Sequence, residues 1–216
     1  MGAYAALSSW AEERSAEEAR ERREEERARV EEEQRRELRE EATSLMPEVI
    51  SGVALGMTRE EVREVRGANE VPPAHPREVP ALDFLEEQLA NGGEVVYGFD
   101  RQSGALAQVQ VLSMMPTLQG IAPHLAAMNE RYGTPTGVWD CPDTGGVPTR
   151  RFTWRHAEVT VSDVFLVYGD RVSLTLYVTS TESTAASLQR SRCHPVPREQ
   201  LDRFPVARPE ALQPPR

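Results

Sequence analysis

The sequence predicts an α+β protein with a long, charged N-terminal helix and a globular body of two helix-plus-antiparallel-sheet repeats. Residues 11–41 are almost wholly Glu and Arg and contain no Gly or Pro, which is typical of a solvated helix. Residues 46–193 twice show a helical segment followed by short apolar runs and turn residues. Residues 194–216 contain six prolines, so we expect a disordered tail.

The N-terminal segment, residues 1–45, is predicted to form a helix without burial. Four Glu–Arg pairs have the favourable i, i+4 order, and each stabilises a helix by ~0.2–0.5 kcal/mol. They are Glu18–Arg22, Glu25–Arg29, Glu31–Arg35 and Glu32–Arg36. Only Ala28 and Val30 interrupt the charge between residues 19 and 38, too few for a coiled-coil seam. We expect an exposed single helix roughly 60 Å long at ~1.5 Å per residue, acting as a stalk-like spacer or as a frayed charged arm.

The first ten residues, MGAYAALSSW, are small and apolar. They are similar to the last turns of a membrane helix, with Tyr4 and Trp10 suited to the interface, although an ordinary helix start explains them equally. No run approaches the ~20 apolar residues that cross a bilayer, and no signal peptide is evident. A membrane is therefore expected as a partner only through a missing upstream segment.

The charge of the chain excludes one class of partner. The formal net charge is −10, and residues 11–41 account for half of it, with 14 Glu against 9 Arg. Nucleic-acid binding needs a basic face, so we expect no nucleic-acid partner. All 25 basic residues are Arg and none is Lys, which is typical of a GC-rich genome.

The first repeat, about residues 46–118, opens with a capping box. Thr58 is a good N-cap with Glu61 three residues later, and Gly67 ends the short helix. The proline-rich run 71–80 is predicted to be a loop. A second helix is predicted over 81–90.

That second helix rests on the helical spacing of Leu82, Leu85 and Leu89, with Asn91-Gly92-Gly93 as its stop. The second repeat, about residues 119–193, starts with a helix from Gly120 to Tyr132. The predicted strands are 94–100, 105–113, 151–155, 158–168 and 171–179. Residues 101–104 and Gly169-Asp170 are predicted hairpin turns.

The phrase LGMTREEVREVRG, residues 55–67, resembles the helix opening of the BamE/SmpA-OmlA lipoproteins and of the tandem-repeat β-lactamase inhibitor protein. The resemblance implies helices packed on an antiparallel sheet in an exported bacterial protein that binds other proteins and catalyses nothing. The second opening, residues 120–125, lacks the Met-Thr pair, and no lipobox cysteine lies near the start, so lipid anchoring does not carry over. The matching positions, all structural, are Gly56, Met57, Thr58 and Val62.

The two cysteines, Cys141 and Cys193, each follow a predicted element of the second repeat. A disulfide between them would close a loop of ~52 residues and stabilise by roughly 4 kcal/mol; the alternative is two unrelated thiols. A disulfide implies an oxidising compartment. Two cysteines cannot form a clustered-thiolate zinc site, and no redox or haem motif is present.

The remaining chemistry-bearing residues show no catalytic or metal-binding spacing. His75, His124, His156 and His194 share no i, i+4 or HExxH pattern, and no G-x-S-x-G elbow or phosphate loop occurs. We therefore expect no metal, no cofactor and no enzymatic activity. An enzyme with a site built from His124, His156 and Asp163 is kept as a remote alternative.

Aromatic residues supply the candidates for binding another protein. Tyr97 and Phe99 alternate on one strand, Phe152 and Trp154 on another, and Trp139 precedes Cys141, so each pair lies on one face of its strand. Packed under helices they form core, and on an open face they would be binding anchors. Arg150, Arg151 and Arg155 lie beside these aromatic residues and are predicted to form a polar rim around them, with Arg151 and Arg155 as binding candidates.

Together these observations favour a non-catalytic protein of the bacterial cell envelope or periplasm that binds another macromolecule, most plausibly a protein, through its sheet or loops. The alternative is a cytoplasmic scaffold or regulatory protein in which the charged helix contacts the partner and both cysteines stay reduced.

Overall fold

The whole charged N-terminal segment lies in one continuous helix, α1 (Gly2–Leu45). The structure is a computed structural model and describes residues 2–70, 81–90, 92–115, 117–142, 148–169, 171–201 and 203–204, without the side chains of 2–16 and 70. Two predictions lie outside the described residues: the 71–80 loop and the side-chain roles of Tyr4 and Trp10. The chain divides into two compact units, residues 1–38 and 39–216.

In the first unit, the side chains of residues 17–38 are almost all exposed, including Val30 at 47 %. Glu18 and Arg22 form the predicted i, i+4 pair, with 3.8 Å between the charged atoms. The prediction of an exposed single helix is confirmed. Glu–Arg pairs along the surface stabilise this helix, because it has no apolar face with which to pack.

The sequence predicted that the body begins at residue 46, whereas the second unit begins at Arg39. Ala42 and Leu45, in the last turns of α1, are buried, and Arg39 forms an ion pair with Glu61 at 3.0 Å. The charged composition concealed this boundary, because only two apolar side chains mark the point where the helix begins to pack on the body.

The described residues of the body form three further helices and nine strands. The helices are α2 (Arg59–Arg66), α3 (Ile121–Tyr132) and α4 (Thr181–Arg190). The strands are β1 (Asn69–Glu70), β2 (Leu82–Gln88), β3 (Glu94–Asp100), β4 (Leu106–Met115), β5 (Gly137–Cys141), β6 (Thr149–Arg155), β7 (Val159–Tyr168), β8 (Arg171–Ser180) and β9 (His194–Pro195). Short 3₁₀ turns lie at Glu48–Ile50, Leu118–Gly120 and Arg198–Gln200.

The strands form one antiparallel sheet in the order β1-β2-β3-β4-β8-β7-β6-β5-β9. Four strands follow α2 as a meander, and four follow α3 in the same way. The two meanders join through their last strands, with Gln108–Met115 of β4 paired against Val172–Thr179 of β8. The predicted helix-plus-sheet repeats are therefore present as two halves of one sheet.

The opening of α2 has the geometry that its sequence predicts. The Glu61 backbone N–H donates to the Thr58 hydroxyl at 3.3 Å, and the Thr58 N–H donates to the Glu61 carboxylate at 2.6 Å. Gly67 ends the helix with φ +66°, a conformation that favours glycine. The pKa of Glu61 is lowered, chiefly by the hydrogen bond from the Thr58 backbone.

The prediction of a helix over residues 81–90 is wrong, because this segment forms strand β2. Each residue from Leu82 to Gln88 is paired with β3, and Leu85 is fully buried. Three leucines at positions i, i+3 and i+7 fit a helix, but pairing with a fully buried neighbouring strand overrides that local preference. Gly92-Gly93 accordingly belongs to the β2–β3 connection and does not end a helix.

Alternation of side chains gives the sheet two distinct faces. We call the face that carries Val109, Val161, Phe165 and Val178 the core face; all four are fully buried. Helix α2 is linked to this face by a salt bridge in which Arg66 donates to both Glu87 oxygens at 3.0 and 2.7 Å. The Tyr97 hydroxyl donates to the same carboxylate at 2.6 Å, and burial raises the pKa of Tyr97.

The opposite face, which we call the outer face, carries the alternate residues of the same strands. On β8 these are Ser173, Thr175, Tyr177 and Thr179, between the buried Val172, Leu174, Leu176 and Val178.

Within the described part of the chain, no helix is long and apolar enough to cross a membrane.

The tail is ordered further along the chain than predicted. Strand β9 pairs with β5 through Trp139↔Pro195 and Asp140↔His194. The Phe204 ring contacts Phe165 on the core face, with ring centroids 5.6 Å apart. Residues 205–216, the rest of the predicted tail, lie outside the described residues.

Arg150 fastens this ordered part of the tail. The residue is 1 % exposed and donates to both Asp140 oxygens at 2.8 and 2.9 Å. Its Nη1 donates to the carbonyls of Gln200 and Leu201 at 2.7 and 2.9 Å. One guanidinium therefore satisfies a carboxylate and the backbone carbonyls of two residues that follow β9.

Arg150→Met should free the segment 198–204. We expect the free energy of unfolding to fall by about 3 kcal/mol, as for removal of one partner of a buried ion pair, and trypsin to cleave faster after Arg198. Timed digestion of the folded protein with mass analysis measures this, with the exposed Arg155→Met as the control. Equal cleavage rates in the two variants would show that Arg150 does not hold the tail.

Candidate functional site

Four of the aromatic binding candidates lie in the core. Tyr97 is 0 %, Phe99 2 %, Phe152 7 % and Trp154 1 % exposed. By strand register all four project from the core face, where Trp154 packs on Tyr132 of α3 with ring centroids 6.2 Å apart. Because these four side chains are buried, they belong to the hydrophobic core and cannot serve as binding anchors.

The other three candidates, Trp139, Arg151 and Arg155, lie on the outer face. Trp139 is partly buried and its indole N–H donates to the Thr153 hydroxyl at 3.3 Å. Arg155 is exposed at the end of β6. Arg151 is almost fully buried, so these residues do not form the rim around the aromatic side chains that the sequence suggested.

The accessible part of the outer face lies where β4, β8 and β7 are neighbours. Its residues are mostly apolar, and we call them the outer-face patch: Leu112, Met114, Val164, Leu166, Tyr168 and Thr175. Register places Leu112, Thr175 and Val164 in one row across the strands. Met114 is 56 % exposed, and the Tyr168 hydroxyl donates to its sulfur at 3.5 Å. The other five are only partly buried.

Helix α4 covers the neighbouring part of the outer face. Its N-cap Ser180 accepts from the Ser183 N–H. Hydroxyl contacts join the helix to the sheet, Thr179 to Thr184 at 2.6 Å and Thr160 to Thr181 at 3.1 Å. The outer face is thus divided into a covered part and the outer-face patch.

Arg151 lies in the covered part, next to the patch. Its Nη1 donates to the Ser187 hydroxyl of α4 at 3.2 Å, and its guanidinium carbon lies 5.5 Å from the centroid of the partly exposed Tyr177 ring. Burial lowers the pKa of Arg151. This is a costly position for a cation, because desolvation is not offset by a nearby anion.

The structure brings together two of the three residues of the enzymatic alternative. His124 Nε2 on α3 lies 2.8 Å from Asp163 Oδ2 on β7, with the His124 side chain 25 % and the Asp163 side chain 0 % exposed. Burial raises the pKa of Asp163, and the hydrogen bond from His124 opposes that rise. His156 instead contacts Tyr132, with ring centroids 6.4 Å apart.

Because Asp163 is fully enclosed, its carboxylate does not meet solvent or a ligand from outside. Its Oδ1 has no hydrogen-bond partner within the described residues. The pair therefore links α3 to the sheet, and an acid–base role would require the core to open.

A disulfide joins Cys141 and Cys193, as predicted. Cys141 is the last residue of β5 and Cys193 directly precedes β9. The bond fixes the chain where it leaves α4 and returns to the sheet edge. Among the described residues, no three His, Cys, Asp or Glu side chains are placed to hold a metal ion.

The chain was compared with known proteins at the level of families, single proteins and folds. No family model, curated protein or solved structure matches it. The resemblance of residues 55–67 to the BamE and inhibitor-protein sequences therefore stays a prediction.

Sequence reasoning missed the outer-face patch and α4, although signals for both exist. The strict alternation of β8, with Ser173 and Thr175 between apolar residues, indicates a strand with one wet face. Ser180 followed by Thr-Glu-Ser-Thr-Ala-Ala indicates a capped helix. Neither signal tells which part of the wet face the helix covers, so the patch could not have been located.

Proposed function

We propose that this protein is a non-catalytic protein of the bacterial cell envelope that binds another protein through the outer-face patch. The observation that carries the proposal is the exposure of Met114 among the partly exposed apolar neighbours Leu112, Val164 and Leu166. Ser173 and Thr175 of β8 lie between these apolar side chains, and a partly exposed, largely apolar surface on a sheet whose other face is already packed is typical of an interaction surface. Tyr168 adds an aromatic side chain with a polar tip, a residue type that is enriched in interfaces.

The disulfide supports placement in an oxidising compartment. Disulfides persist in exported and periplasmic proteins and are rare in the bacterial cytoplasm. The resemblance of residues 55–67 to envelope proteins agrees with that placement. The full burial of Asp163, the acidic residue of the enzymatic alternative, supports a non-catalytic role.

A second candidate function is a scaffold that uses α1. The exposure of nearly all side chains from 17 to 38 favours it, because such a helix has its charged surface free for a partner. In that case cross-links should arise from α1 and not from the patch.

Site-specific photo-cross-linking tests the choice. A photoreactive amino acid at Met114 should give a discrete adduct in cells of the source organism. The same photoreactive amino acid at Glu60, an exposed position on α2, serves as the control. At Val30 it detects a partner bound to α1.

We expect strong adduct formation from position 114 and little from position 60, because short-lived cross-linkers capture what lies against the exposed side chain. No adduct from position 114, or equal yields from 114 and 60, would contradict binding through the outer-face patch. A dominant adduct from position 30 would favour the scaffold.

A further inference from the structure

Arg151 is a buried cation to which no carboxylate of the described residues is hydrogen-bonded. It is only 6 % exposed, and its one hydrogen bond within the described chain is to a neutral hydroxyl, that of Ser187. Its Nε is buried and lacks an acceptor there. An ion in this state costs several kcal/mol relative to a paired one, so its position calls for a physical reason.

Other arginines on the sheet and its helices are paired where they are buried. Arg150, its neighbour on the core face, holds Asp140 with two hydrogen bonds. Arg66 holds Glu87 in the same bidentate manner. The fold thus supplies a carboxylate to the buried guanidinium of Arg150 and to the partly buried one of Arg66, and Arg151 differs from both.

A second buried polar group without a partner lies near Arg151 on the outer face. The Ser162 hydroxyl is buried and has no partner among the described residues. Ser162 pairs with Thr153 and Arg151 pairs with Val164, so Ser162 and Arg151 are diagonal neighbours on adjacent strands of the outer face. The described residues of this part of the sheet therefore supply no acceptor to the Arg151 Nε or to the Ser162 hydroxyl.

This place borders the outer-face patch. Arg151 is directly paired with Val164, a patch residue, and its guanidinium extends across β7 to lie over Tyr177 of β8. Val164 and Tyr177 are both partly exposed. A partner seated on the patch would therefore meet the guanidinium at the edge of α4.

We propose that Arg151 binds an Asp or Glu side chain of the partner protein when that partner occupies the outer-face patch. The inference rests on the proposed function and specifies the chemistry of the partner. A carboxylate would supply the missing charge and accept two hydrogen bonds from the planar guanidinium, the geometry for which arginine is suited. The patch would then supply apolar contact around a single charged anchor, an arrangement common in interfaces.

The absence of lysine from the chain permits a direct test. Arg151→Lys creates the only lysine side chain, and a water-soluble carbodiimide joins an amine to a carboxylate with loss of water and no spacer. We expect treatment of intact cells to give an adduct whose cross-linked peptide contains an amide between residue 151 and an Asp or Glu of another protein. Arg155→Lys, four residues further along β6 on the same face and exposed, is the matched control and should give at most about a tenth of that yield.

Two further measurements keep the test decisive. Arg151→Met should reduce the photo-adduct from position 114 at least about tenfold, the effect of losing a hydrogen bond to a charged group, and Arg155→Met should leave it unchanged. Thermal unfolding of each variant confirms that it is folded.

The possible failures are distinguishable. If position 114 still cross-links in the Arg151→Met protein and the lysine variant gives no amide, the carboxylate proposal is overturned and the proposed function stands. If position 114 never cross-links, the proposed function itself fails. An amide to a second copy of this chain would overturn the assignment to a different protein.

Discussion

His124→Ala should lower the free energy of unfolding at pH 7 by about 3 kcal/mol, the cost of leaving a buried ionisable group without its hydrogen-bond partner. Asp163 is completely buried, and His124 Nε2 lies 2.8 Å from its carboxylate. Without the imidazole, the described surroundings offer Asp163 no hydrogen bond. Urea unfolding of the wild-type protein and the variant measures the loss.

Asp163→Asn is the informative companion. It removes the buried charge and retains nearly the same shape, so the loss on His124→Ala should shrink to less than about 1 kcal/mol in the double variant. If the two single effects simply add, the residues are not coupled and the interpretation of the pair as a link between α3 and the sheet is contradicted.

The pH dependence of Asp163→Asn has a definite sign. Burial raises the pKa of Asp163, so the folded state holds this proton more tightly than the unfolded state. Stability from this group is therefore present below its unfolded pKa, about 3.9, and is lost as the pH rises through the folded pKa. Asparagine does not ionise, so the stability of the variant relative to wild type should increase across that window and then level off.

The fold was predictable where the sequence carries its own local signal. Strand β3 matches its predicted range, residues 94–100, because an apolar run lies between turn residues. Helix α2 follows from Thr58 and Gly67, whose chemistry fixes its two ends. In both cases the physical cause lies within a few residues of the feature.

Prediction failed where a partner distant in sequence decides the structure. Residues 82–88 are a strand because they pair with β3, although their leucine spacing fits a helix. Residues 194 and 195 are ordered because they pair with β5, and Arg150, about 50 residues earlier in the chain, binds the carbonyls of Gln200 and Leu201. Composition reports neither contact.

The candidate site shows the same limit. Asp163 has the parity of Val161 and Phe165 in β7, so the sequence contains a sign that this carboxylate is buried. Its partner His124 lies 39 positions earlier and could not be assigned by spacing. The burial of Arg151 depends on α4, which follows two strands later, and so the difference between Arg151 and the exposed Arg155 is visible only in the folded chain.

The Cys141–Cys193 disulfide should contribute about 4 kcal/mol to the free energy of unfolding. The two residues are 52 positions apart, and closing a loop of that length restricts the unfolded chain by roughly this amount in the loop-entropy model. Urea unfolding with and without reductant measures the difference. The Cys141→Ala/Cys193→Ala protein should unfold like the reduced wild type and should not respond to reductant.

The same bond decides between the envelope and the cytoplasmic scaffold, because only an oxidising compartment maintains it. Alkylation of intact cells before lysis, followed by denaturation and a mass measurement, should find both cysteines unmodified. Two alkylated cysteines would place the native protein in a reducing compartment and remove the main support for the envelope. If the disulfide is present but contributes less than about 1 kcal/mol, the contacts of β9 and Arg150 hold the same segment when the bond is reduced.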